Sequence, residues 1–214
     1  EYEAAPDVPG KVYALVDALV KDEKKEGEDD AIGVLMGAFE RTKNYSFKLR
    51  ADDIRLRQSH RLTSEVAAKA RASGDDGDRQ QARLAALEHR QVVVDIYRER
   101  VEKYPTDLKH KYRLGRALFE TAEYDEAIPM LQAAQQDPRT RHLCQLMLGR
   151  AFFEKGSPAQ AAEILREAFE RYEMADEHSK EMLYWLGRAY EAAGKTAEAK
   201  DALGRLLRQD YNYR

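Results

Sequence analysis

Five histidines and one cysteine are the residues of this chain that could serve as nucleophiles, general bases or metal ligands: His60, His89, His110, His142, His178 and Cys144. No histidine belongs to an HExxH or His-x3-His pattern, so their spacing predicts no zinc site. His142 and Cys144 are two residues apart and would point to different sides of a helix, which favours a buried cysteine over a Cys-His catalytic pair. We therefore expect no enzyme, no bound metal and no cofactor.

Signatures of phosphate-binding loops and membrane segments are absent from the sequence as well. Gly33 and Gly37 form a GxxxG pattern, but the acidic residues before it favour a close crossing of two helices over a membrane dimer. No apolar run approaches the ~18 residues of a membrane span, and no signal peptide is recognisable. The lone cysteine excludes an intrachain disulfide, which is compatible with a reducing compartment and favours the cytoplasm. Because the chain opens at Glu1 instead of Met and stops at Arg214, we expect a fragment of a longer protein.

Charged residues make up 35% of the chain, against a usual quarter, which is typical of helical proteins with much solvated surface. The net charge of -3 gives no general reason to expect a nucleic-acid partner. The charge is unevenly spread, however. Residues 41–71 hold nine Lys or Arg against three acids, whereas the first forty residues hold four Lys against eleven acids. We expect these segments to neutralise one another; the alternative, a basic arm that contacts nucleic acid, lacks a reading helix or a stacking platform.

The tetrapeptide Leu-Gly-Arg-Ala occurs three times in the second half of the chain, with glycines at 115, 149 and 187. The spacing between these glycines is 34 and then 38 residues. Each copy is followed by an aromatic-containing stretch, a break, and a second run whose apolar residues fall on one helical face. The pattern predicts three helix pairs, at residues 108–138, 142–175 and 180–211.

These pairs resemble the tetratricopeptide repeat (TPR) of bacterial type, in which two antiparallel helices, A and B, form a unit of about 34 residues. Repeat 2 contains the family's Leu-Gly pair at Leu148 and Gly149, the next aromatic at Phe152, the turn glycine at Gly156 and the crossing alanine at Ala161. Repeat 3 matches at Leu186, Gly187, Tyr190, Gly194 and Ala199. Repeat 1 departs from the pattern, with Leu118 for the aromatic and Ala122 for the turn glycine. The resemblance implies an all-α solenoid of antiparallel helix pairs across residues 107–214.

Residues 1–106 look like a degenerate continuation of the same architecture. Residues 11–44 align with a repeat that has lost its Leu-Gly pair. Two helices near 27 residues each follow, joined by a turn at residues 73–77, so that residues 46–104 predict one elongated helical hairpin whose tip projects from the stack. The whole chain is therefore predicted to contain about ten helices.

The resemblance also implies where a partner would bind, because exposed positions of helix A line the concave side in this family. Carried over by position, these residues are Lys109, Tyr112, Arg116, Phe119, Leu146, Arg150, Phe153, Tyr184, Trp185 and Arg188. The ninth position of each repeat is arginine, and each guanidinium can bind a carboxylate through two parallel hydrogen bonds. The alternative is internal pairing, since Arg116 and Arg150 have Glu120 and Glu154 four residues later, whereas Arg188 has no such glutamate.

Three functions are compatible with this pattern. The first is a non-catalytic scaffold that binds a protein or peptide, with acidic segments favoured, in the concave groove. The second is a self-assembling structural protein, because Tyr211, Tyr213 and the apolar face of the last helix have no polar capping helix after them. The third is a regulatory module of a larger multidomain protein.

Overall fold

The computed structural model describes residues 8–213, which form ten α-helices and no strand. In chain order the helices are α1 (Pro9–Leu19), α2 (Lys25–Thr42), α3 (Tyr45–Ser73), α4 (Asp76–Lys103), α5 (Leu108–Glu120), α6 (Tyr124–Ala134), α7 (Arg141–Glu154), α8 (Pro158–Arg171), α9 (Glu177–Ala192) and α10 (Thr196–Gln209). The predicted all-α fold of about ten helices is confirmed. Within the described residues, no helix combines the length and apolar character needed to cross a bilayer.

The chain divides into two compact units, with the boundary between Ile96 and Tyr97. The core of the first unit is formed by α1, α2 and the beginning of α3, whose apolar residues recur at helical spacing and are fully buried. These residues are Val12, Val16, Ala31, Leu35, Ala38, Phe47, Ala51 and Ile54. Beyond Ile54, α3 continues for about five turns as one arm of a hairpin.

Helices α3 and α4 form the elongated antiparallel hairpin that the sequence predicts. A hydrogen bond of 2.8 Å joins Ser59 Oγ and His89 Nδ1. Further towards the tip, the Thr63 hydroxyl lies 3.2 Å from the Ala85 carbonyl oxygen, and Lys69 Nζ lies 2.9 Å from Asp78 Oδ1. The turn follows Ser73, where Gly74 takes a left-handed conformation (φ 66°) and caps α3.

The uneven charge of the first unit is neutralised between neighbouring helices. Arg50 Nη2 donates to Asp17 of α1 at 3.0 Å. Arg61 of α3 binds Glu28 of α2 with two hydrogen bonds, of 2.9 and 2.6 Å, and Glu28 is only 5% exposed. Two cations of residues 41–71 therefore bind acids from the first forty residues, as expected.

The prediction that two helices cross closely at Gly33 and Gly37 is wrong. A methyl group built at Gly33 would meet nothing within 4 Å, and one at Gly37 would meet only the tip of the Arg41 side chain, at 3.2 Å. Close contact occurs instead at Gly27, where a Cβ would lie 2.3 Å from the Leu19 carbonyl oxygen. The first turn of α2 is thus packed against the end of α1, and only glycine leaves room there.

The second unit contains three helix pairs, α5 with α6, α7 with α8 and α9 with α10. The glycine of each Leu-Gly-Arg-Ala sequence allows a leucine of the partner helix to pack against the backbone. A Cβ added to the glycine would lie 2.9 Å from Leu131 in the first pair, 2.4 Å from Leu165 in the second and 2.6 Å from Leu203 in the third. Helices A and B can therefore cross closely only because these positions have no side chain.

The turns between helices A and B share one backbone geometry. Gly156 and Gly194, the turn glycines of repeats 2 and 3, have φ values of 77° and 76°. Ala122 takes the same left-handed conformation in the first repeat, with φ 62°. The departure of repeat 1 from the family pattern has thus changed the residue without changing the turn.

Candidate functional site

Helices α5, α7 and α9 lie side by side and present one surface of the second unit. Helix α5 packs against α7 and α7 against α9, whereas in the described chain the backbones of α6 and α8, and those of α8 and α10, remain farther apart. The side on which helices approach one another is the inner side of a curved stack. We call the exposed side chains of α5, α7 and α9 on this side the A-helix surface.

Arg150 lies at the centre of the A-helix surface. Its guanidinium carbon is 5.0 Å from the centre of the Phe119 ring and 4.9 Å from that of the Trp185 ring, so the group is enclosed between aromatic rings of α5 and α9. Arg150 Nη1 donates to Glu181 Oε1 at 2.7 Å. The pairing with Glu154 in its own helix is thus replaced by a partner from the next repeat, and Arg150 links three consecutive A helices.

The arginines on either side of Arg150 are more exposed. Arg116 Nε donates to Glu120 Oε1 at 2.7 Å, which is the internal pair expected, and this bond raises the pKa of Arg116. Arg188 Nη1 donates to the Tyr184 hydroxyl at 3.0 Å. The nearest carboxylate oxygen, of Glu191, is 3.8 Å from Arg188 Nε, too far for a hydrogen bond. Arg188 therefore keeps free capacity to bind a carboxylate.

Half-buried aromatic rings fill the spaces between these arginines. Phe153 and Trp185 meet edge to face with centroids 5.5 Å apart, and Trp185 meets Tyr184 in the same way at 5.4 Å. The guanidinium of Arg188 lies about equally far from the Phe153 and Tyr184 rings, at 6.0 and 5.9 Å. At the end of the surface, the Tyr213 ring is 6.0 Å from that of Tyr184.

Three further residues were expected on this surface, and one of them does not lie there. Leu146 is 4% exposed and belongs to the apolar core between repeats 2 and 3, so it cannot contact a partner. Tyr112 is half-buried, one turn before Arg116 on α5. Lys109 is exposed in the first turn of α5. Of the residues carried over from the family pattern, nine are thus at least partly exposed and Leu146 is not.

The described residues that could bind a metal ion or act as a nucleophile were located in the structure. They contain no cluster of three or more His, Cys, Asp or Glu side chains that could hold a metal ion. Cys144 is buried, and burial raises the pKa of its thiol to about 11, so the reactive thiolate is scarce at neutral pH.

Two structural features of this unit could not be read from the sequence. His142 and His178 are far apart in the chain, yet their rings lie 5.5 Å apart, and His142 stacks on Tyr172 at 4.8 Å. On the side of the B helices, α8, α9 and α10 enclose a groove of about 360 Å³ whose floor includes Phe169 and Tyr190. The contact of Arg150 with Glu181, by contrast, had a signal in the sequence. Glu181 occupies the second position of repeat 3, which lies next to the ninth position of the preceding repeat, where Arg150 stands.

The architecture is similar to that of solved structures of MamA. One of them, described as a crystal structure of MamA protein, has a TM-score of 0.60 at 17% identity, over 94% of this chain and 93% of that chain. A second, described as MamA MSR-1 C2, has a TM-score of 0.57 at 14% identity, over 94% of this chain and 97% of that chain. These identities establish a shared fold and nothing about function. No curated protein matches the chain.

A family model described as tetratricopeptide repeat matches residues 146–213, from the middle of α7 to the tail after α10. The matched region contains the two repeats whose glycines, crossing alanines and turns follow the family pattern most fully. The helix pairing, the packing of leucine on glycine and the left-handed turns extend the same geometry to α5 and α6. Residues 146–213 thus match the tetratricopeptide repeat family, and the rest of the second unit shares its fold.

Proposed function

We propose that the A-helix surface binds a segment of another protein and that the chain acts as a non-catalytic interaction scaffold. The observation that carries the proposal is the environment of Arg188. This arginine is 44% exposed, donates a hydrogen bond to the Tyr184 hydroxyl, and is flanked by the half-exposed rings of Phe153 and Tyr184. Aromatic side chains beside an arginine are the composition that carries most binding energy at protein interfaces.

The partner segment is proposed to be acidic. Two of the three arginines already bind carboxylates of this chain, Glu120 and Glu181, which supports the affinity of the surface for that group. Arg188 is the arginine with capacity left, so a partner carboxylate would bind there first. Aromatic rings on both sides would shield the ion pair from water and strengthen it.

Peptide selection on the whole chain tests this function. A random peptide library displayed on phage is selected against the wild-type protein, and the enriched peptides are then titrated against Arg188→Glu. We expect enrichment in Asp and Glu, and a loss of at least ~2 kcal/mol of binding free energy in the variant, because charge reversal breaks a shielded contact. Binding should also weaken with salt, since charges are screened beyond ~8–10 Å.

Arg166→Glu is the matched control, because Arg166 is 43% exposed but lies on α8, away from the A-helix surface. Both variants should melt close to wild type, since an exposed arginine contributes at most ~1 kcal/mol to stability. Selected peptides that bind Arg188→Glu as well as wild type would refute this surface as the binding site. Peptides without enrichment in acids would refute the acidic partner alone.

A further inference from the structure

The outer face of helix α4 carries an unpartnered apolar stripe. Leu84 is 52% exposed and Leu87 is 54% exposed, although leucines are usually buried in helical hairpins. The side of α4 that faces α3 is marked by Asp78, Ala85 and His89, which contact that helix. Leu84 and Leu87 therefore point away from the hairpin.

The stripe has the spacing of a coiled-coil seam. Gln80, Leu84, Leu87 and Gln91 are separated by four, three and four residues, and all four are exposed. Such 4-3-4 spacing places side chains on one side of a helix where a second helix can pack. The seam has two leucine layers between two glutamine layers, a composition that favours a short and weak pairing of defined register.

The charges beside the stripe provide a second, independent observation. Arg83 and Glu88 flank the two leucines and are exposed. Neither makes an ion pair within residues 8–213, whereas Lys69, Asp76 and Arg79 of the same hairpin are all paired. In heptad terms Arg83 is a g position and Glu88 is the e position five residues later. These two positions meet across a parallel, in-register pair of helices.

We propose that α4 pairs with α4 of a second copy of this chain in a parallel, two-fold symmetric dimer. In this dimer the leucines of both copies pack together, and Arg83 of each copy pairs with Glu88 of the other. An antiparallel pair would place Arg83 opposite Arg83 or Arg90, so the charges select the parallel register. The inference concerns a surface separate from the A-helix surface and does not depend on partner binding there.

Sedimentation equilibrium on the whole chain, at about 10 µM to 1 mM, is the first measurement. Wild type should shift from monomer to dimer over this range. Leu84→Glu combined with Leu87→Glu should remain monomeric with an unchanged circular dichroism spectrum, because both side chains are exposed in the monomer. A wild type that stays monomeric throughout would overturn the proposal.

Charge exchange tests the register. Arg83→Glu and Glu88→Arg should each weaken the dimer by roughly tenfold, since each removes two symmetric pairs. The double variant should recover wild-type affinity, and an equal mixture of the two single variants should form heterodimers. Single variants that both dimerise as well as wild type would show that Arg83 and Glu88 do not meet.

Cysteine cross-linking distinguishes the two orientations. Gln80→Cys should form a disulfide between copies under mild oxidation, because position 80 faces its own counterpart only in the parallel register. Arg79→Cys, one residue away and off the seam, is the control that should not cross-link. The native Cys144 does not interfere, since it is buried. Cross-linking of Gln80→Cys with Gln91→Cys, but not with itself, would overturn the parallel arrangement.

Discussion

At the scale of single residues, the turns between helices A and B of the three repeats share a left-handed backbone conformation. The free-energy cost of this conformation depends on the residue that adopts it. Glycine adopts left-handed φ values at no steric cost, whereas alanine pays ~1 kcal/mol or more. Ala122, at φ 62°, is therefore a strained residue in a turn where the other repeats have glycine.

Replacing Ala122 by glycine should stabilise the protein by about 0.5–1 kcal/mol, because relief of strain exceeds the added entropy of the unfolded chain. The midpoint of urea denaturation measures this gain. The reverse change in the next repeat, Gly156→Ala, should lower the midpoint by a similar amount. A lower midpoint for Ala122→Gly would show that the turn is not left-handed in solution.

A second single-residue prediction concerns the contact of Gly149 with Leu165. A methyl group at this glycine would lie 2.4 to 3.0 Å from three side-chain atoms of Leu165, which is itself fully buried. Gly149→Ala should therefore destabilise the protein by about 2–3 kcal/mol through overpacking. Gly33→Ala, in a helix with open space around it, should instead stabilise by ~0.5–1 kcal/mol. Equal effects of the two changes on thermal unfolding would contradict the packing of leucine on glycine.

At the scale of helices, the ion pair between Arg61 and Glu28 holds α3 against α2. Glu28 is almost fully buried, so removing its partner leaves a poorly solvated carboxylate. Arg61→Met should cost about 2 kcal/mol of unfolding free energy. Arg50→Met removes an exposed pair with Asp17 and should cost less than ~1 kcal/mol. Chemical denaturation of both variants measures these losses. Equal losses of unfolding free energy would show that the pair of Arg61 with Glu28 is not buried as described.

The contact between helices α7 and α9 should respond to mild acid through His142. Burial holds the pKa of His142 below its usual value of 6.5, and the nearby His178 acts in the same direction, while Asp176 opposes them. The neutral ring is thus favoured in the folded state. Its contribution to stability is complete above about pH 6.5 and is lost as the pH falls through the folded-state pKa.

His142→Phe keeps a ring against Tyr172 but cannot be protonated. Between about pH 7.5 and 5.5, the wild-type melting temperature should therefore fall further than that of the variant. The carboxylate of Asp176 does not confuse this comparison, because its pKa is held below 3.8 by hydrogen bonds, first of all from Tyr172. Parallel pH profiles of the two proteins would show that His142 is not coupled to folding.

At the scale of the whole molecule, the tip of the α3–α4 hairpin is the internal segment best suited to proteolysis. Residues 71–77 are all exposed and include the left-handed Gly74. Brief trypsin treatment should cut first at Arg71 or Arg79, which mass spectrometry of the fragments would identify. A first cut between Arg150 and Ala162 would contradict the folded repeat 2 described above.

The helices and their pairing were predictable because periodicity and glycine positions are local properties of the sequence. Contacts between repeats were not. Pairing of Arg150 with Glu154, four residues later, was one alternative that the sequence offered, but Arg150 binds Glu181 of the next repeat instead. His178 likewise lies beside His142 of the preceding repeat. Periodicity tells which face of a helix is buried, whereas the partner across that face depends on how far each helix is shifted along its neighbour.

The enclosure of Arg150 gives the second unit an optical probe. Trp185, the single tryptophan of the chain, lies against this guanidinium and the Phe153 ring, where α7 meets α9. Its fluorescence therefore reports on the junction between α7 and α9. Excitation at long wavelength selects this tryptophan over the tyrosines in the rest of the chain. The same emission would change when a ligand covers Arg188, one turn away on α9. Stacking of the repeats and occupancy of the A-helix surface can thus be followed in the unmodified protein without any attached dye.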